Sequence, residues 1–167
     1  MIEFKTVRYK NFLSTGQQFI EVPLNTGGTT LIIGDNGSGK STMLDALCFG
    51  LFNRPFRDIK KDQIVNSINE KDCLVEIDLQ IGSNKYTIKR GIKPAIFEIW
   101  CNDKMLNQDA ASKDYQKHLE DNILRLNFRS FTQVVILGSS SFVPFMRLRA
   151  RHRRQVVEEI LDIEIFS

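Results

Sequence analysis

Apolar and polar positions alternate with a period of two in several stretches of the chain, and that period predicts strands. Phe4-Lys5-Thr6-Val7-Arg8-Tyr9 alternates in this way. So do Leu74 to Ile81, Lys85 to Arg90 and Ile96 to Cys101, with a turn at Gly82-Ser83-Asn84 between the first two of these. Short, alternating and closely spaced, they predict an antiparallel meander with one face wet. A further strand is expected around Gln18 to Val22. Two apolar runs do not alternate, Thr29 to Ile33 and Thr132 to Leu137, and they predict buried core strands. Three longer stretches predict helices: Ser41 to Phe52, Ser112 to Leu124 with Ser112 as N-cap, and Arg151 to Ile163. The last gathers Val156, Val157, Ile160 and Leu161 on one side. Asn53 to Asp58, with Pro55, breaks the pattern into a loop.

The junction between Ile33 and Ser41 adds chemistry to this pattern. Gly34-Asp35-Asn36-Gly37-Ser38-Gly39-Lys40-Ser41 fits G-x-x-x-x-G-K-[ST], the P-loop. The glycines let successive N–H groups converge on one point, and the helix N-terminus adds its partial positive charge there. Gly34, Asn36, Gly37, Ser38, Gly39, Lys40, Ser41 and Thr42 are the expected nucleotide-binding residues. Lys40 would neutralise phosphate charge, and the Ser41 hydroxyl would ligate Mg²⁺. The bland alternative is a glycine-rich surface turn with a chance lysine. The strand before it and the helix after it argue against that.

Composition narrows the class without naming it. The chain has 167 residues, enough for one domain, with 42% hydrophobic and 26% charged residues. No apolar run reaches membrane-span length and Met1-Ile2-Glu3-Phe4-Lys5 is no signal peptide, so the expected place is the cytoplasm, with no membrane partner. Cys48, Cys73 and Cys101 lack metal spacing and read as reduced, mostly buried thiols. His118 and His152 likewise have no ligand partners at metal spacing. Net charge is only +3, but Arg147, Arg149, Arg151, His152, Arg153 and Arg154 form a dense basic cluster. It suits phosphate-backbone contact or docking of a protein partner; a solvated helix entry balancing Glu158 and Glu159 weighs about equally. Lys89, Arg90 and Lys93 beside Phe97 are a weaker candidate for touching DNA, and Asp45 and Trp100 read as structural.

What is missing bears on mechanism. ATP hydrolysis at a P-loop uses a second acidic site, usually an apolar strand ending in Asp with an adjacent glutamate. No four apolar residues precede an acidic pair here, since Glu158-Glu159 follows only Val156-Val157 in a helical pattern. Glu76 and Asp78 fall in the alternating meander and read as a solvated face. A serine-glycine-glycine signature is absent too. The sequence carries half of an ATP site.

Tyr9-Lys10-Asn11-Phe12-Leu13-Ser14 followed by Leu31 to Ala46 resembles the N-terminal head segment of SMC-like ATPases of the SbcC type, which act in DNA double-strand-break processing. Asp58-Ile59-Lys60-Lys61-Asp62 is similar to the family loop beside the nucleotide base, and Phe131 to Met146 with Arg153 to Leu161 to the segment leading into a coiled coil. Gly50-Leu51-Phe52, Lys89-Arg90-Gly91 and Pro144-Phe145-Met146 are phrases shared with the phage branch, the recombination nucleases of T-even phages. The resemblance implies an α/β fold: a P-loop NTPase, the N-terminal lobe of an ABC-type ATPase head, with an antiparallel meander and a mixed or parallel core sheet. It implies one lobe over 1–167, with 149–167 starting the coiled-coil helix. The cofactors would be ATP and Mg²⁺. The partners would be a C-terminal lobe carrying the missing acid and signature, a second head closing over two ATP molecules, an SbcD-type nuclease subunit near the coiled-coil base, and DNA.

The resemblance also assigns residues beyond the P-loop. Val65 and Asn66 are carried over as nucleotide-binding positions. The family's Q-loop glutamine, which reaches Mg²⁺ and the attacking water, aligns with Ser139, while Gln133 is the nearby glutamine in the chain; both stand as candidates. Leu13 stands where relatives often carry a basic residue on the nucleotide, so the resemblance does not carry that contact over. A cohesin- or condensin-like structural ATPase without nuclease partner, and more remotely a transporter-type ABC ATPase, remain open alternatives.

Overall fold

One antiparallel sheet of six strands, in the order β2-β1-β3-β4-β5-β6, organises the first part of the chain. The strands are β1 (Ile2–Lys10), β2 (Ile20–Pro23), β3 (Cys73–Ile81), β4 (Asn84–Ile92), β5 (Ile96–Cys101) and β6 (Lys104–Met105). The computed structural model describes residues 2–106, 112–136 and 145–161, in two compact units divided after Ser112.

The register explains how alternation becomes a folded sheet. Val7 pairs with Ile77, Ile77 with Ile88, and Ile88 with Ile99, so one row of β-branched residues crosses four strands. All four are fully buried. One residue along, Glu21, Arg8, Glu76, Lys89 and Glu98 pair in succession across five strands, alternating in sign. Arg8 reaches Glu76 at 2.8 Å, and Lys89 reaches it from the other side at 3.6 Å. One-residue offset and opposite face are the same statement in a strand. Glu76 and Asp78 therefore sit on the polar face, as the alternation predicts.

Helix α1 (Lys40–Phe52) packs against β1, β3 and β4. From Asp45 onward every residue of it is buried, which fits a helix apolar nearly all round. Phe49 meets Phe12 at a ring distance of 5.6 Å, and Gly50 lies so close to β3 that a Cβ there would collide with Ile77 and come within 3.1 Å of Val75. A larger residue would lift the helix off the sheet.

The second unit holds α2 (Ser112–His118), which widens into a π turn over Leu119–Leu124, then α3 (Phe128–Val134) and α4 (Ala150–Leu161). Arg125, in the left-handed region, closes the π turn with its N–H on the Glu120 carbonyl. Asn127 caps α3, accepting from the Ser130 N–H at 3.0 Å. No described helix is long and apolar enough to cross a membrane.

Two sequence expectations fail here. Thr29 to Ile33 forms no strand: it is irregular, with Leu31 and Ile33 79% and 83% exposed. A buried strand needs ladder partners, and every described pairing is antiparallel and made elsewhere; the mixed or parallel core sheet is not formed among the described residues. Thr132 to Leu137 also forms no strand among its described residues, 132–136. Its first residues belong to α3, where the Asn127 cap and the buried Phe131 and Thr132 favour the helical spacing. An apolar run alone does not separate strand from buried helix. The described part of α2 begins at Ser112.

Candidate nucleotide-phosphate site

The P-loop backbone is shaped by its glycines. Gly37 and Gly39 hold φ of +87° and +91°, a region costly for residues with a Cβ. Gly34 packs against the turn itself, because a Cβ there would lie 2.6 Å from the Ser38 hydroxyl oxygen. The Ser38 N–H closes that turn on the Asp35 carbonyl at 3.2 Å. Gly39 is the N-cap of α1 and no side chain caps the helix. First-turn N–H groups without a side-chain acceptor are an anion-binding surface.

Lys40 folds back over the loop. Its ammonium donates to the Gly34 carbonyl at 2.5 Å and the Asp35 carbonyl at 2.7 Å. Among the described residues no carboxylate pairs with it. The charge is held in place by neutral acceptors and is free to act on an anion. Ser41 and Thr42 follow in the first turn, with the Thr42 N–H on the Gly39 carbonyl at 3.0 Å. A glycine cradle, an unneutralised ammonium and a first-turn hydroxyl fit a nucleotide's phosphates with Mg²⁺ on Ser41. No cluster of His, Cys, Asp or Glu among the described residues forms a metal site of its own, so a cation here would draw on the hydroxyl and on phosphate oxygens.

One turn deeper, α1 carries a carboxylate with no exposure at all. Asp45 accepts the Arg57 backbone N–H on Oδ1 at 2.9 Å, and on Oδ2 the Arg57 Nε at 2.7 Å and Nη2 at 2.5 Å. This fixes the loop after α1. Sequence reasoning classed Asp45 as structural and did not find its partner. The available signal was an acid inside an otherwise apolar helix, which demands a cation nearby.

Val65 and Asn66 are built into a clamp. Val65 bridges Phe12, the Leu13 N–H reaches the Ile64 carbonyl at 2.6 Å, and the Asn66 amide donates to the Leu13 carbonyl at 3.2 Å. Asn66 Oδ1 accepts from the N–H groups of Ile68 and Asn69, both at 2.9 Å. Both residues are buried, and the Asn66 side chain ties Leu13 to the turn at Ile68 and Asn69. Their edge lines an open pocket of about 510 Å³ with Leu13, Ser14, Gln63 and Lys93. Leu13 meets it in the left-handed region at φ 53°, set by these backbone bonds.

The other candidates separate. Arg90 is buried, stacks 3.7 Å over the Phe97 ring and donates to the Gly50 carbonyl at 2.9 Å, so it braces α1 and does not present its charge to a ligand. Trp100 lies in the meander with its N–H on Glu98 at 2.9 Å. Cys48, Cys73 and Cys101 are free thiols, the first two buried. Burial pushes the Cys73 thiol up to about 12 and, with Asp45 adding to it, raises Cys48 further. In the second unit Gln133 stands on α3, not on a strand, and its side-chain oxygen is buried with no hydrogen-bond partner among the described residues. Ser139 lies outside the described residues. In the basic cluster Arg154 pairs with Glu158 at 2.6 Å and Arg153 donates to the Met146 carbonyl at 3.2 Å, while Arg149 and Arg151 are exposed. His152 is held below its ordinary value by desolvation first, then by Arg129, Arg149 and Arg151.

Loop, helix and sheet together define a P-loop NTPase of the α/β class. The sequence matches the family described as AAA domain over residues 6–165, and the chain belongs to it, as the N-terminal head segment of an SbcC-type, SMC-like ATPase. It is 48% identical to exonuclease subunit 2 of Enterobacteria phage T4 over 94% of this chain and 28% of the relative. It is 35% identical to the DNA double-strand break repair Rad50 ATPase of Sulfolobus acidocaldarius over 53% of this chain and 10% of that one. It is 29% identical to a subunit of the nuclease SbcCD of Pseudomonas aeruginosa over 96% of this chain and 16% of that one. The chain thus spans less than a third of these relatives. Its fold is similar to a solved chain from a study of ATP-driven dimerization and DNA-stimulated activation of SMC ATPases, with a TM-score of 0.61 at 18% identity, covering 95% of this chain and 99% of that one.

Proposed function

We propose that residues 1–167 are the ATP-binding N-terminal lobe of an SMC-like head that, with a C-terminal lobe and a nuclease partner, couples ATP binding and hydrolysis to DNA-end processing and recombination. The observation that carries this is Lys40, an ammonium over a glycine cradle at a helix N-terminus with only neutral carbonyls as partners. In this reading the loop N–H groups and Lys40 bind and orient the phosphates, and Ser41 holds Mg²⁺. When bound, Mg²⁺ supplies charge neutralisation between phosphate oxygens. Val65 and Asn66 act through the clamp that sets the pocket edge beside the base, and Gln133 or Ser139 serves the attacking water.

Hydrolysis needs groups that this sequence lacks, the acidic pair and the signature, so the lobe alone turns over negligibly. The exposed Leu31, Ile32 and Ile33 suit pairing with strands of the C-terminal lobe, and the names of the phage and SbcCD relatives support a nuclease as partner. A second copy of the head and DNA complete the assembly. The test is steady-state ATPase activity of the chain alone and with the complementary C-terminal segment added. The reading expects turnover only in the mixture, with head dimers forming on ATP and the assembled head capturing its nuclease partner. Robust turnover by the 167-residue chain alone would refute the half-site argument.

A further inference from the structure

The Asp45–Arg57 pair sits where its charge bears on the phosphate site. Ser41 and Asp45 are four residues apart on α1 and share a face. Their separation along the axis is about 6 Å, and Cβ bonds lean toward the helix N-terminus, toward Ser41. Asp45 is fully buried, so water does not screen it. Left alone, a buried anion one turn below a phosphate cradle would oppose the binding of a polyanion. Arg57 cancels that charge with three bonds, one from its backbone and two from its guanidinium. The Arg57 side chain is itself 47% exposed, so its remaining edge faces solvent.

We infer that Arg57 is a positioning and counter-ion residue of the nucleotide site: it makes phosphate binding at the P-loop possible by neutralising Asp45, without touching the phosphates. The inference rests on the reading of the P-loop as an ATP site. It differs from direct contact in one respect. Once Asp45 has lost its charge, Arg57 is no longer required.

The experiment is calorimetric binding of MgATP, MgADP and adenosine to the full chain as wild type, Arg57→Gln, Asp45→Asn and the double variant. Arg57→Gln should weaken MgATP roughly ten- to thirtyfold, weaken MgADP less, and leave adenosine unchanged. The double variant should return to within about threefold of wild type. If the double variant stays as weak as Arg57→Gln, Arg57 holds phosphate itself and the inference is wrong. If all three ligands weaken equally, the pair only supports the fold and the inference again fails. Should Arg57→Gln not fold, Arg57→Lys keeps the charge with fewer bonds: a lower melting temperature with MgATP affinity kept supports the inference, and lost affinity with adenosine binding lost as well overturns it. Wild type that binds no MgATP would instead bring down the phosphate-site reading, and this inference with it.

Discussion

The sheet with α1 and the segment leading into the P-loop are built from similar residues and behave in opposite ways. Val7, Ile77, Ile88 and Ile99 are apolar and fully buried; Leu31, Ile32 and Ile33 are as apolar and stand open to solvent. The difference is pairing. β3, β4 and β5 find their neighbours through Gly82-Ser83 and the turn after Ile92, β1 pairs with the nearby β2 and with the distant β3, and β1, β3 and β4 meet α1. The Thr29 to Ile33 stretch has no ladder partner among the described residues. Hydrophobicity states that a segment is to be buried; it does not state what will cover it.

Substitutions sharpen the contrast, most strongly in the sheet and its helix. Phe49→Ala removes a ring packed on Phe12 under a closed core, and should cost about 3–5 kcal/mol in denaturant unfolding. Ile33→Ala, on an exposed residue, should change the stability of the same chain by no more than about 0.5 kcal/mol. Comparable losses at both positions would mean that the P-loop segment already belongs to a core.

Next in size is Gly50→Ala. Its Cβ meets Ile77 and Val75, so helix and sheet must part slightly, at about 1–3 kcal/mol. A neutral or stabilising result, as helix propensity alone would give, would show that the contact relaxes freely. Leu31→Asp with Ile33→Asp should leave folding nearly unchanged and reduce self-association in sedimentation, since the patch they break is apolar and uncovered. Unchanged sedimentation would count against that surface as the one awaiting a partner.

The smallest effect expected is chemical. Near neutral pH the Cys48 and Cys73 thiols stay protonated, because burial raises both, and an alkylating reagent should take Cys101 first. Their thiolates would become appreciable only as pH rises toward about 12 for Cys73 and beyond it for Cys48. Equal rates at the three sites would point to opening of the core on the reaction time scale.

Much of this was legible in the sequence where the signal is local. The period of two located β1, β3, β4 and β5, because alternation and the two-faced sheet are one fact. The glycine loop was legible because its spacing encodes backbone shape as well as chemistry, and Gly37 and Gly39 take the left-handed conformations that explain their presence. What was not legible depended on distant pairing. Thr132 and Gln133 read as strand until the Asn127 cap and the burial pattern of α3 made them helix. Arg90 looked like surface because its partner, the Gly50 carbonyl, is forty residues away. Val65 and Asn66 came from resemblance alone, and their clamp on Asn11 to Leu13 has no signature in spacing.

The central claim is that Gly34 to Ser41 binds nucleotide phosphates through Lys40, and the most direct measurement is calorimetric binding of MgATP to wild type and Lys40→Ala, with thermal unfolding of both alongside. Lys40 bonds only to loop carbonyls, so its loss should leave the melting temperature within about 2 °C and abolish measurable MgATP binding. A Lys40→Ala chain that binds MgATP as tightly as wild type would contradict the account.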